Sequence, residues 1–140
     1  MYSKVLLPVS GESRGERSRK ALAKAMAVSS GEIILLHVTE PISQVVGGEA
    51  RQELEREESA QGLTLLCPII EILETAGADF YTRVEAGTIA EIIVRIADEE
   101  KADLIVMYTD GRDGLSDMLL GSITERVLRN TGVDLLAVRN

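Results

Sequence analysis

The chain has 140 residues, which suits one domain at roughly 100–200 residues per domain. Its net charge of −8 argues against non-specific nucleic-acid binding, which needs a basic footprint. Apolar residues make up 45%, but there are only three tyrosines and one phenylalanine, so the core must be aliphatic.

Cys67 is the single cysteine, so no intrachain disulfide can form and a reducing compartment is expected. The opening MYSKVLLPVS lacks a signal peptide's long apolar core and small-residue cleavage site. No apolar run approaches the ~20 residues of a membrane helix. These features predict a soluble cytoplasmic protein, organised as one domain over residues 1–140.

Short apolar runs alternate with longer amphipathic stretches. Residues 5–9 suit a first buried strand, and residues 33–38 a second. Residues 80–84 form a weaker third, 104–107 a fourth and 135–138 a fifth. Continuously apolar strands mark a parallel sheet covered on both faces. The intervening segments read as helices. Ser13 with Glu16, Thr88 with Glu91 and Ser122 with Glu125 each fit a capping box, in which hydroxyl and carboxylate satisfy early backbone donors. The helix after Thr88 would bury Ile89, Ile92, Ile93, Ile96 and Ala97. Gly77 and Gly132 stand where helix-ending glycines belong. Between Gly48 and Gly77, Pro68 predicts one bent helix or two short ones, preceded by a mobile loop over residues 44–48. The pattern is an alternating α/β chain, and right-handed crossovers favour an open, doubly wound sheet with helices on both faces. Such sheets bind ligands at the carboxyl ends of strands where the strand order reverses. The loop after the first strand and the loop after the fourth should meet there.

Several α/β motifs are absent. There is no GxxxxGK[ST] phosphate loop and no GxGxxG after the first strand. A response-regulator receiver needs acids after the first strand, an aspartate after the third and a lysine after the fifth. Those places hold Ser10, Glu85 and Arg139.

Four pieces, in order and at matching separations, carry a resemblance over nearly the whole chain. They are KVLLPVS followed by Arg19, Lys20, Ala21 and Leu22; Leu35, Leu36, His37 and Val38; Val84, Glu85, Ala86 and Gly87 before a helix with Ile93 and Ala97; and ADLIVM at 102–107, a glycine loop, then Leu119, Leu120, Gly121 and Ser122. In these the chain resembles the universal stress protein family. The resemblance implies a five-stranded parallel sheet in order 3-2-1-4-5, and a homodimer joined through the last strand at Leu135, Leu136, Ala137 and Val138. One branch of that family binds ATP through G-x-x-G, nine residues, then G-[ST]; another branch does not.

Gly111, nine residues, then Gly121 and Ser122 match the second part of that motif, with Gly114 also in the loop. Tyr108 stands where the first glycine belongs, and its ring would either fill the pocket or stack on a ligand. Pro8, Val9 and Ser10 keep the frame of the first-strand segment, with serine replacing the aspartate that contacts the nucleoside. Val38 matches the residue whose backbone meets adenine, and Met107 and Ile123 match further pocket positions. Gly121, Ser122 and Ile123 would offer N–H groups at a helix start, a favourable anion site. Asp110, Asp113 and Asp117 would repel phosphate, unless Mg²⁺ bridges carboxylate and phosphate or Arg112 or Arg14 compensates.

The plainer readings stand beside these. Ser122 serves equally as a helix cap and Gly121 as a tight turn. His37 reads as a buried, hydrogen-bonded histidine and Cys67 as core. Arg14, Arg17, Arg19, Lys20 and Lys24 form a basic stripe that suits a solvated face, as do Glu53 to Glu58. The expected function is an adenine-nucleotide switch in stress response, acting as a homodimer with ATP or AMP, and Mg²⁺ with ATP. The alternative is a dimeric interaction module that binds no nucleotide and docks a protein partner. No acid/base pair with a nucleophile and no zinc spacing suggests an enzyme, although slow ATP hydrolysis stays open.

Overall fold

The computed structural model describes residues 1–9, 16–109 and 121–139, with only the backbone of residues 16–18. The order is β1 (Tyr2–Pro8), α1 (Glu16–Val28), β2 (Ser29–Thr39), α2 (Gly48–Thr75), β3 (Asp79–Ala86), α3 (Ile89–Glu100), β4 (Leu104–Tyr108), α4 (Ser122–Asn130) and β5 (Asp134–Val138). The strands form one five-stranded sheet in the order β3-β2-β1-β4-β5. Every neighbouring pair is parallel.

Strand residues alternate between two cores, as a period of two requires. Val5, Leu7, Ile33, Leu35, Leu104 and Val106 face one layer, packed on Ala21, Leu22 and Ala25 of α1 and Leu66, Ile69 and Leu73 of α2. Leu6, Ile34, Leu36, Ile105 and Met107 face the other, packed on Ile92, Ile93 and Ile96 of α3 and Val127 of α4. This double coverage explains why the central strands read as unbroken apolar runs.

Two glycines mark places where backbone leaves no room. Tyr2 pairs with Ser29 and Lys4 with Glu32, so the ladder carries a bulge between them. A Cβ on Gly31 would stand 2.3 Å from the Ser3 carbonyl oxygen. A Cβ on Gly62 of α2 would stand 2.8 Å from Val84 Cγ1 and 3.2 Å from His37 Cδ2.

Several local expectations are corrected. α2 is a single helix of 28 residues that runs through Pro68. Pro68 is exposed, so the carbonyl its ring cannot serve is on the water side. Cys67, expected in the core, is exposed as well, because the buried stripe of α2 passes through Leu66, Ile69 and Leu73 instead. Ile89 is 41% exposed, and Ala90 joins the buried face in its place. Thr88 is the N-cap of α3 but makes no side-chain cap bond. At α4 the cap is Gly121 and Ser122 is the first helical residue, so the expected capping box is not formed. Glu125 pairs with Arg129 at 2.7 Å instead. Gly77 follows α2 with φ of 68°, in the left-handed region expected of a helix-ending glycine. α4, by contrast, closes on Thr131 in extended conformation, one residue before Gly132. At residues 43–46, a turn is held by Val46 N–H donating to Ser43 O at 3.1 Å and by Arg51 donating to the carbonyls of Ser43 and Val46, each at 3.2 Å. Ser13 and its capping box lie outside the described residues.

The amino-terminal end of the sheet is closed by side chains. Asp103 accepts from Ser3 N–H at 2.9 Å, Ser3 Oγ at 3.2 Å and Lys4 N–H at 2.8 Å. Burial alone would raise its pKa, but these bonds together hold it below the ordinary aspartate value. Tyr81 donates to Glu100, whose other oxygen accepts from Arg83 at 2.8 Å. Burial, then the hydrogen bond and charge of Glu100, push the Tyr81 phenol up to about 12. The same bond from Tyr81, against the penalty of burial and helped by Arg83, lowers Glu100. Lys4 lies 3.9 Å from Glu32 and 4.0 Å from Glu100, which ties β1, β2, β3 and α3 together.

Candidate functional site

The sheet order reverses between β1 and β4, because one crossover leads outward to β2 and a later one returns to β4. Pairing with the outer strands runs to the carboxyl end: Pro8 is opposite Leu36, and Tyr108 is opposite Val138. Among the described residues the β1–β4 pairs are Val5 with Leu104 and Leu6 with Ile105. Beyond Leu6 and Ile105 no further β1–β4 pair is described, and the carboxyl ends of the two central strands flank the switch point where α/β sheets hold ligands, here called the crevice.

Its banks are Pro8 of β1 with Val9 directly after it, and Met107 and Tyr108 of β4 with Thr109 directly after it. Val9 and Met107 are buried at 8% and 6% exposure. Val9 N–H donates to Leu36 O at 2.8 Å. His37 Nδ1 lies 2.8 Å from the Val9 carbonyl oxygen. A carbonyl can only accept, so Nδ1 carries the proton. This is the buried, hydrogen-bonded histidine the sequence suggested. Val38 is half-buried and packs with Met107 on the α3/α4 side. Tyr108 is also half-buried but packs on the α1/α2 side. Val9, Val38, Met107 and Tyr108, among the predicted pocket residues, thus lie at one end of the sheet while their side chains divide between its two faces.

α4 begins at the same end. Gly121 is half-buried, and Ser122 and Ile123 are exposed. The first N–H groups of any helix lack an acceptor within it, so Ser122 and Ile123 start a helix whose leading donors point out of its positive dipole end. Its N-cap, Gly121, makes no side-chain cap bond. Thr124, buried at 3% exposure, and Val127 anchor the helix. Ser10, Gly111 and Gly114, with Asp110, Arg112, Asp113, Asp117 and Arg14, lie outside the described residues.

Thr109 is a residue that the motif reading missed. It is 3% exposed, and its N–H and Oγ1 both donate to Val138 O, at 2.9 and 3.2 Å. A threonine directly after an apolar strand was the only signal for it.

At the far edge, β5 pairs only with β4 among the strands described. Leu135, Leu136 and Ala137 are half-buried, whereas Val138 is 6% exposed and already belongs to the α1/α2 core. A hollow of about 360 Å³ lined by Tyr2, Val28, Leu104, Asp134, Leu135 and Leu136 lies at the amino-terminal end, away from the crevice. It is open along the edge strand and offers no convergent donors for phosphate. Among the described residues no group of three or more His, Cys, Asp or Glu is placed to hold a metal ion. No helix among them is long and apolar enough to cross a membrane.

The fold defines a doubly wound α/β protein whose strand order reverses between β1 and β4. The sequence model of the universal stress protein family matches residues 1–139, and the chain belongs to that family. A universal stress protein of Methanocaldococcus jannaschii is 31% identical over 99% of this chain and 83% of its own length. The solved structure of a second such protein from the same organism is 29% identical, covers 100% of this chain and 97% of that one, and has a TM-score of 0.75. The crystal structure of a universal stress protein in complex with cAMP is 26% identical over 98% and 97% of the two chains, with a TM-score of 0.71.

Proposed function

We propose that the crevice between β1 and β4 binds an adenine nucleotide, and that the protein is a cytoplasmic stress-response switch acting as a homodimer. The observation that carries this reading is the coincidence, at one end of the sheet, of the switch point between β1 and β4 and the helix start at Gly121, Ser122 and Ile123. Phosphate would sit on the N–H groups of that helix start, completed by the Gly111 and Gly114 loop. Adenine would lie at the backbone of Val38 beside Met107, with Pro8, Val9 and Ser10 along the ribose side and Tyr108 at the rim. The relative crystallised with cAMP supports an adenine ligand of this kind. ATP or AMP is the proposed ligand. With ATP, Mg²⁺ would be held by phosphate oxygens and by Asp110 or Asp113, offsetting their repulsion. The function is binding and signalling rather than turnover.

The homodimer would form by antiparallel pairing of β5 across a two-fold axis, covering the free edge and the exposed parts of Leu135, Leu136 and Ala137. A second reading, a dimeric module that docks a protein partner and binds no nucleotide, is favoured by one observation. Tyr108 occupies the place of the first motif glycine and packs, half-buried, against the α1/α2 core.

Calorimetric titration of nucleotide-stripped protein with MgATP, ADP and AMP decides between them. Saturable heat at micromolar affinity, or adenine nucleotide released on stripping, upholds the switch. No heat and no released nucleotide sinks it and leaves the interaction module. Tyr108→Gly then tests whether the ring limits affinity, read against the core packing that the substitution removes.

A further inference from the structure

Each bank of the crevice is bonded to its outer neighbour by a buried polar side chain. On the β1 bank, His37 donates to the Val9 carbonyl at 2.8 Å, beside the Val9 N–H bond to Leu36 O at 2.8 Å. On the β4 bank, the Thr109 hydroxyl donates to Val138 O at 3.2 Å, beside the Thr109 N–H bond at 2.9 Å to the same oxygen. One bank is drawn to β2 and the other to β5. Their neighbours Leu36 and Met107 are apolar, and a buried hydroxyl or imidazole is costly unless bonded. Packing alone would place an apolar residue at each position.

We propose that His37 and Thr109 are positioning residues that set the width of the crevice by holding its banks outward. This deepens the adenine-nucleotide reading and rests on it. The peptide group is planar, so fixing the Val9 carbonyl fixes the plane in which the chain leaves β1. The imidazole is confined in turn by α2, which passes so close that a Cβ on Gly62 would stand 3.2 Å from its Cδ2. Thr109 is β-branched, so its hydroxyl has few rotamers to choose from. If both ties are released, the banks can close toward ordinary β1–β4 pairing, and a planar base loses its slot.

The test uses paired variants. His37→Phe keeps the ring and removes the donor, and His37→Asn restores a donor within reach. Thr109→Val keeps the shape and removes the hydroxyl, and Thr109→Ser restores it. AMP affinity is measured by calorimetry, and the Val9 and Val138 carbonyl resonances are followed by NMR on ligand-free protein. His37→Phe and Thr109→Val are expected to weaken AMP about five- to ten-fold, with Asn and Ser returning it to within about three-fold. The Val9 carbonyl should move in the first and the Val138 carbonyl in the second. A lower thermal midpoint with unchanged AMP affinity would mean a merely structural role and overturn the proposal. If the parent protein takes up no adenine nucleotide, the binding reading fails separately. The ligand-free spectra then decide this one: unmoved carbonyls overturn it, and moved ones uphold the ties. Should His37→Phe not fold, Thr109→Val, which exchanges one hydroxyl for a methyl, carries the same decision.

Discussion

The two ends of the sheet differ in how β1 and β4 are joined. At the amino end Asp103 binds three donors of Ser3 and Lys4 with its one carboxylate, and Lys4, Glu32, Tyr81, Arg83 and Glu100 extend the seam across three strands and α3. At the carboxyl end the described β1–β4 pairing stops at Leu6 and Ile105, and each strand bonds on to its outer neighbour. The difference teaches how a parallel sheet can open at one end without loosening elsewhere. The seam at the amino end holds the register there, so the opening at the other end stays local.

Breaking the seam should show this, and the largest effect is expected at the bulge. Gly31→Ala places a methyl 2.3 Å from the Ser3 carbonyl oxygen, backbone that cannot swing aside. A loss of about 3 kcal/mol is expected in urea unfolding. A loss below about 0.5 kcal/mol would mean that the β1–β2 junction is not rigid. Gly62→Ala comes next, at about 1–2 kcal/mol, because its methyl meets Val84 and the His37 ring. This change should also disturb the crevice end, so a stability loss without any shift of the Val9 carbonyl would separate the two regions.

Tyr81→Phe should cost about 1 kcal/mol at neutral pH by removing the bond to Glu100. The folded phenol titrates near 12 against 10.0 for an ordinary tyrosine, so between those values the folded chain keeps a proton that the unfolded chain has lost. Stability therefore falls as pH rises through that window. The Phe variant should show a shallower alkaline decline in thermal midpoint, and equal slopes would refute the assignment. Asp103→Ala should cost under about 1 kcal/mol, since the carboxylate is exposed and water replaces part of what it supplies. Its folded pKa is lowered, so the stabilisation is complete above the unfolded aspartate value and disappears as pH falls through the folded one. The variant's deficit should shrink on the acid side, and a deficit unchanged by acid would show that another group carries the seam.

The sequence made the strands legible because burial on both faces leaves no polar alternation to obscure them. The helical positions were less legible where a face is long and charged. Cys67 and Leu66 are adjacent and both apolar in appearance, yet only Leu66 points inward, and a phase set by Gly62, Ile69 and Leu73 decides it. Thr88 was placed correctly as a cap, but its hydroxyl makes no cap bond, which composition cannot reveal. Of the candidate site residues, Pro8, Val9, Val38, Met107 and Gly121 were legible as strand ends and a helix start. The Thr109 tie could not, because its partner Val138 is 29 residues away and reached only through the sheet. That Tyr108 and Met107 face opposite layers follows from strand alternation, but which layer each meets depends on helix packing.

The position of β1 has a kinetic consequence. Its Lys4 N–H bonds Asp103, 99 residues later in the chain. During synthesis at ~5–20 residues per second, β1 can pair with β2 early but waits about 5–20 seconds for β4 to leave the ribosome. For that interval the fully buried Val5, Leu6 and Leu7 have an open flank, and the most central strand of the finished protein is an edge strand of the nascent one.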